Sequence, residues 1–407
     1  MYKPVPIGKQ VFALSPATQA GIARAEAMMI RMEDRACSGG VDRALMHTLA
    51  RVEAVSTIRI EGKRPSLGAI LHLEAYLDGN RAEGVSRVDS LDAYDFEDDE
   101  ARATALEVLR FLSAVRYLYY ETDPDQPLTP DTLLDIHSLC MYGLPARETG
   151  VHFRRRRHDQ SAADAATLVY EAPEPEELPG LVEDLCAFAN KDAYAPIGQA
   201  AIAHFQFESI KPFKSGLDKT GRLMCHAIMR KRGLMRSVVA PIGLEPAIDT
   251  KSHAESLLPY NFGLAAGERE RLQLVDRWAD FCAWSAEVSA KVTDVHLNAV
   301  LALRERWVEE LGRPSKGSVS EALIGLLPGL PVLTVKQAVA LTGKSVSSVN
   351  DAFARLEAAG IIREIDSAQR SRVFVAPRAV DLFDELDRKV APQTPVSRDS
   401  LGTVVAG

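Results

Sequence analysis

The chain has 407 residues, enough for two or three domains, and its 46% hydrophobic and 26% charged content is that of a globular protein able to bury real cores. A formal net charge of -8 excludes a surface built throughout for nucleic acid, so any basic patch must be local. The five cysteines (Cys37, Cys140, Cys186, Cys225 and Cys282) are scattered without a C-x-x-C pair, which indicates neither a disulfide framework nor a metal centre and fits a reducing cytoplasm.

Near the start, residues 16–32 open on Ser15-Pro16 and residues 42–60 carry apolar positions at three- and four-residue steps, so both predict amphipathic helices. The opening stretch lacks the apolar run of a signal peptide, and no segment approaches about 18 uninterrupted apolar residues, so a cytoplasmic protein without a membrane partner is expected. A loop at 62–66 precedes a helix near 67–78, an acidic stretch follows, and a long helix runs to about Tyr120. The punctuation TDPDQPLTPD at 122–131 marks a loop and an N-cap for the next helix, and the first domain boundary is placed there.

Residues 143–176 break the helical pattern. Their basic loop and the short run AATLVYE, halted by prolines, predict a small hairpin flap, with the arginines at 154–157 mostly a solvated surface. A helix is expected again from Ile197 to Ser209, with Ala200, Ala203, Phe207 and Ile210 on one face. After the loop IKPFKSGLDK a second apolar helix is expected near Thr220. Loop amides at a helix N-terminus can cradle a phosphate, because their unpaired N–H groups and the helix dipole favour negative charge; one glycine and two lysines are by themselves a weak sign of it.

The whole stretch AHFQFESIKPFKSGLDKTGRLM resembles, without a gap, the A-H-x-x-F-E-x-I-H-P-F-x-[DE]-G-N-G-R-x-G-R-L signature of Fic-domain proteins. GVHFRRRRH upstream is similar to the family's P-G-x-F-R segment, which singles out Arg154 beside Phe153, and TLVYEAPEPEELPGLVEDL is similar to its flap and following helix. EAVSTIRIEG is similar to the family's inhibitory helix, [ST]-x-x-x-E-[GN], which falls on Thr57, Glu61 and Gly62. The resemblance spans residues 40 to 390. It implies transfer of AMP from ATP to a hydroxyl of a target protein, with a motif histidine taking the proton, an acid binding magnesium and the loop holding phosphates. Carried over residue by residue, it puts Lys211 at the catalytic histidine, Phe213, Gly216, Lys219, Gly221 and Arg222 around a nucleotide, and Glu61 in an inhibitory salt bridge with Arg222.

The departures fall on the chemistry. Lys211 replaces the histidine, Ser215 the metal-binding acid, Leu217 the asparagine, Asp218 the second glycine and Lys219 the first arginine. A lysine of ordinary pKa near ~10.4 is protonated at neutral pH and accepts no proton. Asp218 repels phosphate, Leu217 offers no hydrogen bond, and Ser215 leaves Mg2+ without its acid, so no metal ligand is assigned while ATP stays the expected nucleotide. Lys211 and Lys219 can bind phosphates as cations, or Lys211 can bridge structurally to Asp218 or Glu208; the bridge is preferred. His204, seven residues before Lys211, reads as a packed residue rather than a substitute base. Glu61 can alternatively act locally at a helix end, with Gly62 as the C-cap.

After a helical stretch from 290 to 312 and the linker GRPSKGS, residues 331–377 read as helix, tight turn at Gly343, helix and hairpin, the order of a winged helix. Thr334 and Ser345 are expected caps, Ser347, Ser348, Asn350, Asp351 and Arg355 an outer face, and Arg370 and Arg372 belong to the hairpin turn. Over 315–390, basic residues exceed acidic ones by one, weak for a DNA binder, and protein interaction or dimerisation is an equal expectation.

The expected fold is mainly α: a Fic-type helical core with a small hairpin flap, an N-terminal helical domain and a C-terminal winged helix-turn-helix. The segments are 1–124, 125–290 and 291–407. The expected function is that of a Fic-like protein weak or inactive in AMP transfer; the alternative is a catalytically silent binder of nucleotide or partner. Partners are an unknown target protein, DNA through 330–377, or a second copy in a homodimer.

Overall fold

A computed structural model describes residues 3–82, 87–156, 172–244, 268–365 and 372–390. The expected flap and Arg370 lie outside these residues. In chain order the helices are α1 (Pro16–Ser38), α2 (Asp42–Ile60), α3 (Leu67–Ala82), α4 (Arg87–Ala93), α5 (Asp99–Arg116), α6 (Pro130–Tyr142), α7 (Ala146–Thr149), α8 (Leu178–Ala189), α9 (Pro196–Ile210), α10 (Leu217–Lys231) and α11 (Glu268–Glu310). There follow α12 (Val319–Leu326), β1 (Val332–Thr334), α13 (Val335–Thr342), α14 (Val346–Ala358), β2 (Arg363–Ile365), β3 (Val373–Val375) and α15 (Pro377–Val390). The mainly helical fold is as expected. None of the described helices is long and apolar enough to cross a membrane.

The described residues form two compact units, one drawn from 1–31 and 107–291, the other from 32–106 and 292–391. Compactness thus groups the chain differently from the linear segments, because α1, α5 and α11 each contain a boundary between the units.

In the first unit α9 and α10 pack side by side, with α6 and α8 against them. Of α9 all but Pro196 and Glu208 is buried, which is why its sequence is apolar nearly all round. α6 starts with a reciprocal cap, Thr129 accepting from the Thr132 N–H, with Pro130 at its first position. Beyond α5 the backbone widens into a π turn at Tyr117–Glu121, and Arg230 of α10 donates to the carbonyls of Leu118 (2.7 Å) and Tyr119 (3.1 Å).

The second unit centres on Trp307, Leu323, Phe353, Leu356, Phe374 and their neighbours. Its sheet runs β1-β3-β2, all antiparallel, with Leu333 and Glu364 both opposite Phe374. Thr334 and Ser345 cap α13 and α14 as expected, accepting from the Gln337 and Ser348 N–H groups at 3.2 Å, and Gly343 ends α13 in the left-handed conformation.

Two boundaries differ from expectation, and three elements were not expected. α10 begins at Leu217 rather than near Thr220, because Gly216 in the left-handed region turns the chain and supplies the N-cap. α11 begins at Glu268 rather than 290. α12, β1 and α15 were not expected; β1 is three residues long, too short to show an alternation.

Candidate functional site

The loop of residues 211–216 joins α9 to α10 in the first unit. Lys211 closes α9 as a buried C-cap residue with φ 45°, a left-handed conformation costly for any side chain but glycine. What holds it there is Arg154, whose Nε donates to the Lys211 carbonyl at 2.7 Å and whose Nη2 donates to Pro173 O at 2.6 Å. The Arg154 N–H also donates to Pro212 O at 2.9 Å. Arg154 is therefore a clamp on the loop backbone, while Arg155 and Arg156 are exposed, as expected for solvated residues.

Phe213 lies in an aromatic stack. Its ring is 3.6 Å from that of His137 at 4°, with Phe153 and Phe207 further out. His137 Nδ1 is 2.9 Å from Thr220 Oγ1, which in turn donates to Gly216 O at 2.9 Å. Burial pulls the His137 pKa down to about 4, so at neutral pH the ring is an uncharged tie between α6, the loop and α10. Gly216 is needed for its left-handed backbone and for space, since a Cβ there would stand 2.5 Å from the Met141 sulfur.

The two cations near the start of α10 face acids. Lys219 Nζ is 3.2 Å from Glu107 Oε2, and Arg222 Nη2 donates to Asp218 Oδ2 at 2.7 Å, one helical turn back. Both cations are buried; Arg222 is 3% exposed. Asp218, considered from the sequence as a partner of Lys211, is thus engaged by Arg222. Gly221 allows the helices to approach, because a Cβ there would come within 2.7 Å of the His204 ring and 3.2 Å of Phe207.

His204 is packed, as expected, but its surroundings are polar on one side. Nε2 is 3.7 Å from Glu208 Oε1, and neither atom has a hydrogen-bond partner among the described residues. Burial opposes a charge on the ring, Cys225 and Glu208 favour it, and the pKa is pushed up to about 10. Ligand atoms of His204, Glu208 and Asp218 all lie within 4.8 Å of one another. The sequence reasoning missed this group. The i,i+4 spacing of His204 and Glu208 was a legible signal, but Asp218 joins them only through the loop. A cavity of about 50 Å³ opens beside His204, lined also by Arg222, Cys225, Trp278, Phe281 and Cys282. Burial raises the Cys282 pKa well above the ordinary thiol range, so this thiol stays protonated.

Thr57, Glu61 and Gly62 belong to the second unit. Thr57 is buried within α2, Glu61 is its exposed C-cap residue, and Gly62 follows with φ 85°. The cap is therefore Glu61 itself rather than Gly62.

Residues 127–229 match the Fic/DOC family. That stretch runs from the N-cap loop of α6 almost to the end of α10 and so contains Arg154, the 211–216 loop and Arg222. Among solved structures, a Fic family protein from Desulfovibrio desulfuricans G20 is similar over 92% of this chain and 98% of its own, at 16% identity and a TM-score of 0.51, a likeness of fold. Residues 134–508 of Fic-1 from C. elegans align at 18% identity over 68% of this chain and 73% of theirs, with a TM-score of 0.45. A Fic domain containing signaling protein from Bacteroides thetaiotaomicron VPI-5482 aligns at 13% over 68% and 98%, with a TM-score of 0.42.

Proposed function

We propose that this chain is a Fic-fold protein, related to the transferases that move AMP from ATP to protein hydroxyls, whose rebuilt loop leaves it weak or inactive in that reaction. The observation that carries the proposal is the Arg222–Asp218 pair, in which a buried guanidinium meets a half-buried carboxylate. A nucleotide phosphate placed at the loop would have to take Arg222 from a carboxylate already 2.7 Å away, and that carboxylate would then repel it. Lys219, the second cation at the helix start, is likewise held by Glu107.

Lys211 stands where the proton acceptor is expected, in a place fixed through its backbone by Arg154. The Mg2+ implied by the resemblance does not fit here: Ser215 offers a neutral hydroxyl where the family has an acid, and magnesium is held by carboxylates together with phosphates. Phe213, Gly216, Lys219, Gly221 and Arg222 remain the residues against which ATP would lie, Phe213 from within its stack and the glycines as backbone. By resemblance Glu61 is the inhibitory acid, with Thr57 and Gly62 completing the motif; it is exposed at the end of α2.

The segment 330–377 serves as a winged helix that meets a partner. Supporting this are the cap at Ser345, the left-handed Gly343 and the exposure of Ser347, Ser348, Asn350, Asp351 and Arg355 on α14. With basic residues barely in excess, binding to random duplex DNA should be weak and should fade as salt rises through the physiological range.

Labelled ATP incubated with cell lysate and either the wild type or Glu61→Gly tests the transferase part. Little or no labelled protein is expected from either sample. A clear signal that disappears in Lys211→Ala would make Lys211 catalytic and end the proposal.

A further inference from the structure

We propose that His204, Glu208 and Asp218 form a binding site for a zinc ion at the junction of α9 and α10. The site shares Asp218 with the pair that carries the transferase proposal, but zinc content is read without any nucleotide, so the failure of one is distinguishable from the failure of the other.

Three features point to a ligand. Nε2 of His204 and Oε1 of Glu208 are buried, 3.7 Å apart and without hydrogen-bond partners among the described residues, and His204 as a whole is 5% exposed. The two atoms face each other as an ion pair without a hydrogen bond, and a metal ion could take the place of the proton between them, released on binding. Asp218 brings a third donor from the next helix, all three ligand atoms lying within 4.8 Å of one another. Around a tetrahedral ion with bonds of about 2.0–2.2 Å, ligand atoms sit ~3.4 Å apart, so the His204–Glu208 spacing is nearly right and small side-chain rotations close the rest.

The donor set selects the metal. An imidazole with two carboxylates suits zinc, whereas magnesium and calcium prefer all-oxygen surroundings. Asp218 already donates its position to a second contact: Oδ2 accepts from Arg222, which would orient the carboxylate while the ion takes its other oxygen. Gly221 is required in the same place, because any Cβ there would collide with the His204 ring edge that must face the ion. Three protein ligands leave a fourth position for water or an anion. That anion would be a small oxyanion or carboxylate drawn by the ion itself, with Arg222 remaining engaged by Asp218.

The full-length protein, free of any histidine tag, is stripped with a chelator, dialysed against Zn2+ and analysed for metal. A single zinc per chain is expected, and Co2+ in its place should give visible ligand-field bands without the near-ultraviolet band of a cobalt thiolate. Glu208→Gln, checked for folding by circular dichroism, should weaken zinc binding by more than about tenfold, the loss seen when even an outer-shell partner is removed. If the variant fails to fold, the wild type decides alone: its thermal midpoint should rise with Zn2+ relative to chelator, because binding to the native state stabilises it. No zinc on the folded wild type, no rise in its midpoint, undiminished zinc on folded Glu208→Gln, or a cobalt-thiolate band tracing the metal to cysteines would each overturn the site.

Discussion

The start of α10 carries Asp218, Lys219 and Arg222, and the start of α14 carries Ser347, Ser348, Asn350 and Asp351; both helices present polar groups in their first turns. In α10 the cations are buried and answered within the protein, Lys219 by Glu107 and Arg222 by Asp218. In α14 the four polar residues are exposed, and the cap at Ser345 is the local bond that starts the helix. The difference shows that polarity at a helix N-terminus does not by itself make a binding site. Where the counter-charges come from the protein, the turn is a piece of core; where none is needed, the side chains remain available to a partner.

The sharpest break of that comparison is steric. Gly221→Ala inserts a Cβ 2.7 Å from His204 between two tightly packed helices and should cost about 3 kcal/mol, read as a lower denaturation midpoint. An unchanged midpoint would mean that the helices are less closely packed than α9 and α10 are here.

Acid should find the same region next. His137 is buried with its pKa depressed from 6.5 to about 4, so the unfolded state takes up the proton first as pH falls through that window. Its contribution is unaffected above pH 6.5 and is progressively lost toward pH 4, amounting to about 2 kcal/mol by pH 5. His137→Phe should flatten that part of the stability profile; a profile unchanged by the substitution would assign the acid sensitivity elsewhere.

On α14 the effects should be smaller. Ser345→Ala removes a side-chain cap and should cost about 1 kcal/mol. Smallest of all, Ser347→Ala with Asn350→Ala touches exposed residues and should change stability by less than about 0.5 kcal/mol while weakening capture of any partner that uses this face. A large loss of stability from the pair would show that the face is not open.

Much of this was legible in the sequence, for physical reasons. α2 is found at 42–60 as expected, and the caps at Thr129, Thr334 and Ser345 are where short polar side chains precede apolar periodicity. The loop between α9 and α10 was legible because its residues keep a recognisable order. The pairs were not. Glu107 lies 112 residues before Lys219, and no local spacing announces such a contact. Arg222 and Asp218 share an i,i+4 spacing, a legible local signal on a helix, whereas the resemblance assigns Arg222 a long-range partner. Likewise His204 and Glu208 are four apart on one helix, whereas their approach to Asp218 depends on the left-handed turns at Lys211 and Gly216.

The central claim is that Asp218 has silenced the loop by occupying Arg222, and calorimetric titration of ATP into the wild type and Asp218→Gly tests it most directly. Removing the carboxylate should release a guanidinium worth about 1.5–3 kcal/mol to a phosphate, so affinity should rise roughly tenfold or more over a wild type that binds ATP poorly. Tight ATP binding by the wild type, undiminished or unimproved in Asp218→Gly, would contradict the claim and return the loop to the nucleotide-binding role its sequence order suggests.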